Sequence, residues 1–121
     1  MPYIDRKAIT PNRVKLTKYN NEDGTAKYYN SKYWYRLRNY HIANNPLCVD
    51  CAKNGITRAA DEVHHAIPFL WFTEQRDRWT ALLDSDNLVS LCNSCHKERH
   101  RHLYRPSNFE ETEYYKKIHD S

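Results

Sequence analysis

The feature that most constrains this chain is a pair of Cys-x-x-Cys units, Cys48/Cys51 and Cys92/Cys95, separated by forty residues. Each unit points two thiols at one place, and four thiolates satisfy a tetrahedral Zn²⁺ with no open position, so the ion implied is structural. An iron centre or a redox pair can use the same spacing, and four cysteines could also form two disulfides. The start Met1-Pro-Tyr-Ile-Asp-Arg-Lys7 carries no hydrophobic signal segment, which suits metal better than disulfides. A chain of 121 residues, 28% of them charged, makes one domain with a thin core. Zinc binding worth on the order of 10 kcal/mol matches a whole folding free energy. Loss of one cysteine is therefore expected to unfold the domain.

Between the cysteine pairs lies Asp61-Glu-Val-His-His-Ala-Ile-Pro68, read as a strand with Val63 and Ile67 apolar and Pro68 ending it. Successive side chains of a strand point to opposite faces, so His64 and His65 cannot do the same job. One can hold a metal while the other faces a substrate pocket. Leu88-Val-Ser-Leu91, preceded by Asn87, is β-like and can pair with the 62–67 strand. His96 follows the last cysteine on a predicted helix, where His100, four residues on, shares its face.

The rest of the chain frames this centre. Residues 1–30 read as an extended basic arm with a turn near Asp23-Gly24. Residues 31–105 form the central domain and 106–121 a C-terminal helix. Ser31 caps a helix that Asn44-Asn45-Pro46 ends; Trp34 is expected to pack on the zinc site, with Lys32, Arg36 and Arg38 on the other face. Leu47 to Gly55 looks like a zinc knuckle. Thr73, Glu74, Gln75, Trp79, Leu82 and Leu83 suggest a short helix. Pro106 is expected to stop the helix after Cys92, and Ser107-Asn-Phe-Glu110 fits a capping box opening a helix over 108–118.

A net charge of +4 with seven histidines favours an anionic partner, nucleic acid first, although such a charge also keeps a small protein in solution. No apolar run approaches the length of a membrane span, and the expected location is the cytoplasm.

The linked motifs Pro46-Leu-Cys-x-x-Cys51, Val63-His-His-x-Ile-Pro68 and Asp86-Asn-Leu-Val-x-Leu-Cys-x-x-Cys-His96 closely resemble the His-Asn-His (HNH) endonucleases, most of all the small zinc-stapled type of phages and prophages. The resemblance spans about residues 30–100. It implies an α+β fold, a small ββα-metal (His-Me finger) core stapled by the four-cysteine zinc and flanked by helices. It also implies a divalent-metal-dependent DNA endonuclease leaving 5′-phosphate and 3′-hydroxyl ends. His65 would be the general base, Asn87 the residue that holds the base strand in orientation, and His64 and His96 ligands of a catalytic Mg²⁺, Mn²⁺, Ni²⁺ or Zn²⁺. Imidazole titrates near neutral pH, which independently suits His65 to taking a proton from water. His100 is open between a third ligand and a surface or phosphate-contacting residue. Arg36, Arg38, Arg99 and Arg101 are candidate DNA contacts. Two positions depart from the usual pattern: His64 stands where Asp is commoner, and Arg99-His100 where Lys-Thr often follows. Competing readings are a non-catalytic zinc module that binds nucleic acid, and a phage packaging accessory that touches a terminase or portal.

Overall fold

The computed structural model describes residues 24–121. The expected arm therefore lies mostly outside the described residues. Gly24 takes a positive φ of 80°, a conformation that glycine adopts without a Cβ clash. Helix begins sooner than the sequence suggests, with α1 at Ala26–Tyr29. Tyr28 is fully buried, and its hydroxyl donates to Gln75 Oε1 at 2.5 Å, so this stretch belongs to the core.

Helix α2 spans Lys32–Asn44, and the Ser31 side chain accepts from the Trp34 N–H as the expected cap. Trp34 does not pack on the cysteines. Its ring lies 4.8 Å from that of His65 and 5.6 Å from that of Tyr29, because α2 crosses the opposite face of the hairpin from the zinc cluster. The knuckle contains α3, Val49–Lys53, with the Cys48 sulfur accepting from the Cys51 N–H. Gly55, at φ 77°, then turns the chain back, and Leu47 bridges Ala59.

Strands β1 (Glu62–His65) and β2 (Leu88–Leu91) form a two-stranded antiparallel sheet in the register Glu62↔Leu91, Val63↔Ser90, His64↔Val89, His65↔Leu88. β1 is shorter than expected, since from Ala66 onward the backbone turns to partners on the loop before β2: the Ala66 N–H donates to the Asn87 carbonyl at 2.9 Å. The connection between the strands holds a 3₁₀ turn at Phe69–Trp71, α4 at Gln75–Leu82, and a second 3₁₀ turn at Ser85–Asn87. Phe69, Phe72, Ala81 and Leu82 are buried there, each large side chain contributing about 2 kcal/mol.

Helix α5 covers Asn93–Arg101. It ends before Pro106, with His102 as the cap residue, so the proline does not stop it. The Ser107 capping box does not form either. Residues Phe109–Glu111 make a 3₁₀ turn, and Thr112 caps α6, Glu113–His119, by accepting from the Tyr115 N–H. The Thr112 hydroxyl also donates to the Phe109 carbonyl at 2.7 Å, so one threonine closes the turn and opens the helix. Phe109 and Ile118 anchor this end in the main core, and Cys48, Cys51, Leu91 and Cys92 form a second buried cluster. A hairpin followed by a helix, with a cysteine cluster and flanking helices, is the small α+β arrangement of a ββα-metal fold. No helix among the described residues is long and apolar enough to cross a membrane.

Candidate functional site

All four cysteines are free and converge on one point, with Cys51 Sγ 3.8 Å from the sulfurs of both Cys92 and Cys95. A disulfide needs about 2.0 Å, so two disulfides do not fit. Metal–sulfur bonds of about 2.3 Å at tetrahedral angles place sulfurs roughly 3.8 Å apart, so the donor set fits zinc. The Arg58 guanidinium donates to Cys51 Sγ at 3.4 Å, offsetting thiolate charge. The Cys92 thiol is drawn down to about 6, chiefly by its contact with the Ser94 hydroxyl.

The two histidines of β1 separate as strand geometry demands. The His64 ring lies 4.8 Å from His96 and 5.2 Å from His100, and the three offer nitrogens within 4.8 Å of one another. His96 and His100 approach Nε2 to Nε2 at 3.0 Å. Cis ligands at about 2.1 Å from an ion stand roughly 3.0 Å apart, so the His96–His100 pair has ligand spacing, and with His64 it makes a group that could hold a divalent metal. Burial, then the neighbouring imidazoles His96 and His100, pushes the His64 pKa down to about 3. Burial, then His96, lowers His100. Neutral imidazole is the form that binds metal.

Glu62 is the residue that sequence reasoning left without a role. Its carboxylate meets His96 Nδ1 and also accepts from Asn93 Nδ2 at 3.0 Å. A carboxylate on Nδ1 leaves Nε2 as the metal-facing nitrogen, and such partners orient metal-binding histidines. The available signal was strand alternation: Glu62, two before His64, shares its face. Neighbouring Asp61 accepts the Asn93 N–H at 3.0 Å, seating the first turn of α5 where Cys92 makes no side-chain cap.

His65 points the other way, into a wall of Trp34, Tyr29 and Phe69 rings, and is 5% exposed. It therefore sits deeper than the expected pocket-facing position. Its Nε2 lies 3.0 Å from the Leu82 carbonyl. A carbonyl can only accept, so Nε2 carries the proton and Nδ1 is left as the basic nitrogen. Burial lowers its pKa to about 4, against the opposing pull of the Leu82 carbonyl and the Asp84 charge. Asn87, 3% exposed, closes the loop after β1: its Oδ1 accepts the Ile67 N–H and its Nδ2 donates to the Ile67 carbonyl, both at 2.8 Å.

The arginines separate too. Arg99 is engaged twice with Asp50, Nε and NH2 each at 2.8 Å from a carboxylate oxygen, which ties α5 to the zinc knuckle and holds the Asp50 carboxyl below its usual range. Arg101 donates to Glu98 at 3.1 Å on the surface. Arg38 lies over the Tyr35 ring at 5.9 Å, and Arg36 is exposed.

A histidine trio on one face of a hairpin and its following helix, a four-sulfur cluster beside it and a backbone-bridging asparagine are the arrangement of a metal-dependent nuclease stapled by a cysteine cluster. Comparison with known proteins supports this class. A family model described as HNH endonuclease matches residues 48–102. A "Probable HNH endonuclease" of Lactococcus phage SK1 is 36% identical over 73 residues, covering 60% of this chain and 73% of that protein. Among solved structures, the manganese-bound HNH endonuclease of the deep-sea thermophilic bacteriophage GVE2 is similar at 29% identity and a TM-score of 0.54, covering 84% of this chain and 90% of that one. The chain belongs to the HNH endonuclease family.

Proposed function

We propose that this enzyme hydrolyses DNA internally, with His65 as general base, Asn87 as the brace of its loop, and His64, His96 and His100 holding the catalytic metal. The observation that carries the reading is the division of labour on β1: His64 joins two other imidazoles, while His65, across the strand, has Nε2 tied to the Leu82 carbonyl and Nδ1 left basic. Water loses its proton to His65 Nδ1 as its oxygen bonds to phosphorus. The bond from phosphorus to the 3′ oxygen breaks and that oxygen takes a proton from solvent water, leaving 5′-phosphate and 3′-hydroxyl ends. The imidazolium formed keeps its Nε2–H on the Leu82 carbonyl, which stabilises the new charge. When bound, a divalent ion supplies positive charge against the scissile phosphate and the departing oxygen.

The manganese in the GVE2 relative supports Mn²⁺ as the first metal to test, with Mg²⁺, Ni²⁺ and Zn²⁺ beside it, and the sulfur spacing supports Zn²⁺ at the cysteines. Arg36, Arg38 and Arg101 carry phosphate contacts in this reading; Arg99, held by Asp50, serves the scaffold first. DNA as substrate supports a cytoplasmic place of action. Both named relatives are phage proteins, which supports a role in phage genome handling, with a terminase or portal as partner; co-purification with those proteins checks that branch.

Plasmid nicking with each metal, against EDTA and His65→Ala, tests the site, and end-labelling of the products tests their polarity. Cleavage by a zinc-loaded His65→Ala variant at the wild-type rate overturns the base assignment. DNA binding without cleavage in every metal favours the non-catalytic zinc module instead.

A further inference from the structure

The Leu82 carbonyl that holds His65 and the Asn87 amide that braces its loop belong to one short span, Leu82 to Asn87. Leu82 is the last residue of α4, so its carbonyl belongs to the group that a helix end leaves without an intrahelical partner, and His65 takes it up. Asp84 lies midway along the span and is bonded in both directions. Its backbone carbonyl accepts the Asn87 N–H at 3.0 Å, and its Oδ1 accepts the Asp86 N–H at 3.1 Å. Its Oδ2 takes the Tyr114 hydroxyl at 3.0 Å and Lys117 Nζ at 3.4 Å, both from α6. Helix α6 is itself fixed to α4: Arg76 donates to the carbonyls of His119 and Ser121 at 2.7 and 3.3 Å, and His119 Nδ1 meets the buried Asp77 at 2.7 Å. Residues 113–119 lie outside the segment that the family model matches.

We propose that Asp84 is a positioning residue for the nuclease centre, gripped by Tyr114 and Lys117 so that α6 sets where the Leu82 carbonyl holds His65 and where Asn87 braces Ile67. The proposal rests on the reading of His65 and Asn87 given above. Burial, then the Asp84 charge, raises the Tyr114 hydroxyl above its ordinary value, so it stays a donor to Asp84 throughout the working range. A terminal helix then does more than cover apolar surface: removing one hydroxyl from it loosens the catalytic loop while the Tyr114 ring keeps its packing near Phe72.

The test uses the full chain, zinc-loaded, with Mn²⁺ and a defined DNA duplex, comparing wild type, Tyr114→Phe, Asp84→Asn and His65→Ala. Steady-state cleavage is read beside thermal melting and amide exchange at Ile67, with Ala60, whose N–H donates to the Pro46 carbonyl at 2.8 Å, as reference. The expected result for Tyr114→Phe is a kcat lowered about three- to tenfold with KM within about twofold, and for Asp84→Asn a drop of about tenfold or more. Ile67 exchange rises in both variants while Ala60 exchange holds, and melting falls by only the roughly 5 °C that loss of about 1 kcal/mol of hydrogen bonding implies. An unchanged kcat in both variants overturns the proposal. So does a lowered kcat without faster Ile67 exchange, or one that falls only in step with melting. If His65→Ala cleaves at the wild-type rate, the base assignment fails instead, whatever Tyr114→Phe does. Should Asp84→Asn fold poorly, Tyr114→Phe, which changes a single oxygen, decides alone.

Discussion

Asn87 is the side chain on which geometry and function meet, and its replacement has a calculable cost. Its two bonds to Ile67, both 2.8 Å, contribute about 1 kcal/mol each, and leaving the half-buried Ile67 N–H without a partner costs about 1 kcal/mol more. Asn87→Ala is therefore expected to lose about 3 kcal/mol, or roughly 15 °C in melting temperature for a domain of this size. Asn87→Asp keeps the volume and the acceptor for the Ile67 N–H but sets a carboxylate oxygen against the Ile67 carbonyl; it is expected to lose about 2 kcal/mol. Melts are run with zinc in fixed excess, since bound metal raises apparent stability. Cleavage is measured well below both melting points, where displacement of the loop that follows His65 is expected to lower the rate about 100-fold. Melting within about 3 °C of wild type for Asn87→Ala would refute the bond arithmetic. A destabilised variant that still cleaves normally when folded would refute the link between the Ile67 bridge and the base.

Three further outcomes follow from the same contacts. Cys51→Ser is expected to bind no zinc and to lose its cooperative melt, checked by a colorimetric zinc assay and circular dichroism; a stable, cooperative apo domain would show that the four sulfurs do not hold the fold together. Glu62→Gln keeps a side chain able to reach His96 but removes the charge that orients it, so Mn²⁺ affinity by calorimetry is expected to weaken about 10- to 100-fold, and unaltered affinity would remove Glu62 from the site. His119 is raised above its ordinary value, first by its bond to Asp77, so its contribution is full below the unfolded value near pH ~6.5 and is lost as pH rises through the raised folded value. The melting-temperature gap between wild type and His119→Gln should accordingly shrink from pH ~6 to pH ~9, and a constant gap would contradict the linkage.

Much of the site was legible because its rules are local. Two residues apart is one strand face, four apart is one turn of helix, and two cysteines flanking two residues make a turn; these place His64 against His65, His96 beside His100, and the sulfurs together. The sequence misled where two local signals competed. Ser107 and Glu110 have the spacing of a capping box, yet Thr112 caps α6, because Phe109 is drawn into the main core and its 3₁₀ turn uses up the residues the box would need. Trp34 has a helical period that fixes its face, but which of two buried clusters that face meets depends on how α2 crosses the hairpin, and no spacing encodes a crossing.

What remained hidden has a common physical character: it consists of partners with no side chain to read, or with partners far along the chain. The Leu82 carbonyl is invisible in a sequence, since every residue has one, and it acquires meaning only because α4 ends there and His65 arrives opposite. Asp84 reads as an ordinary turn residue until α6 brings Tyr114 to it from thirty positions away. Glu62 differs, because it sits on the same strand face as a histidine already singled out, and alternation alone could have nominated it. The residues proposed as base and metal ligands are thus written in the motif, whereas the contacts that hold His65 in place come from α4 and α6. Two chains with the same motif residues can therefore differ in rate through their C-terminal helices alone, and Tyr114, whose hydroxyl bonds Asp84 and none of the three clustered histidines, is where that difference is expected to be measurable.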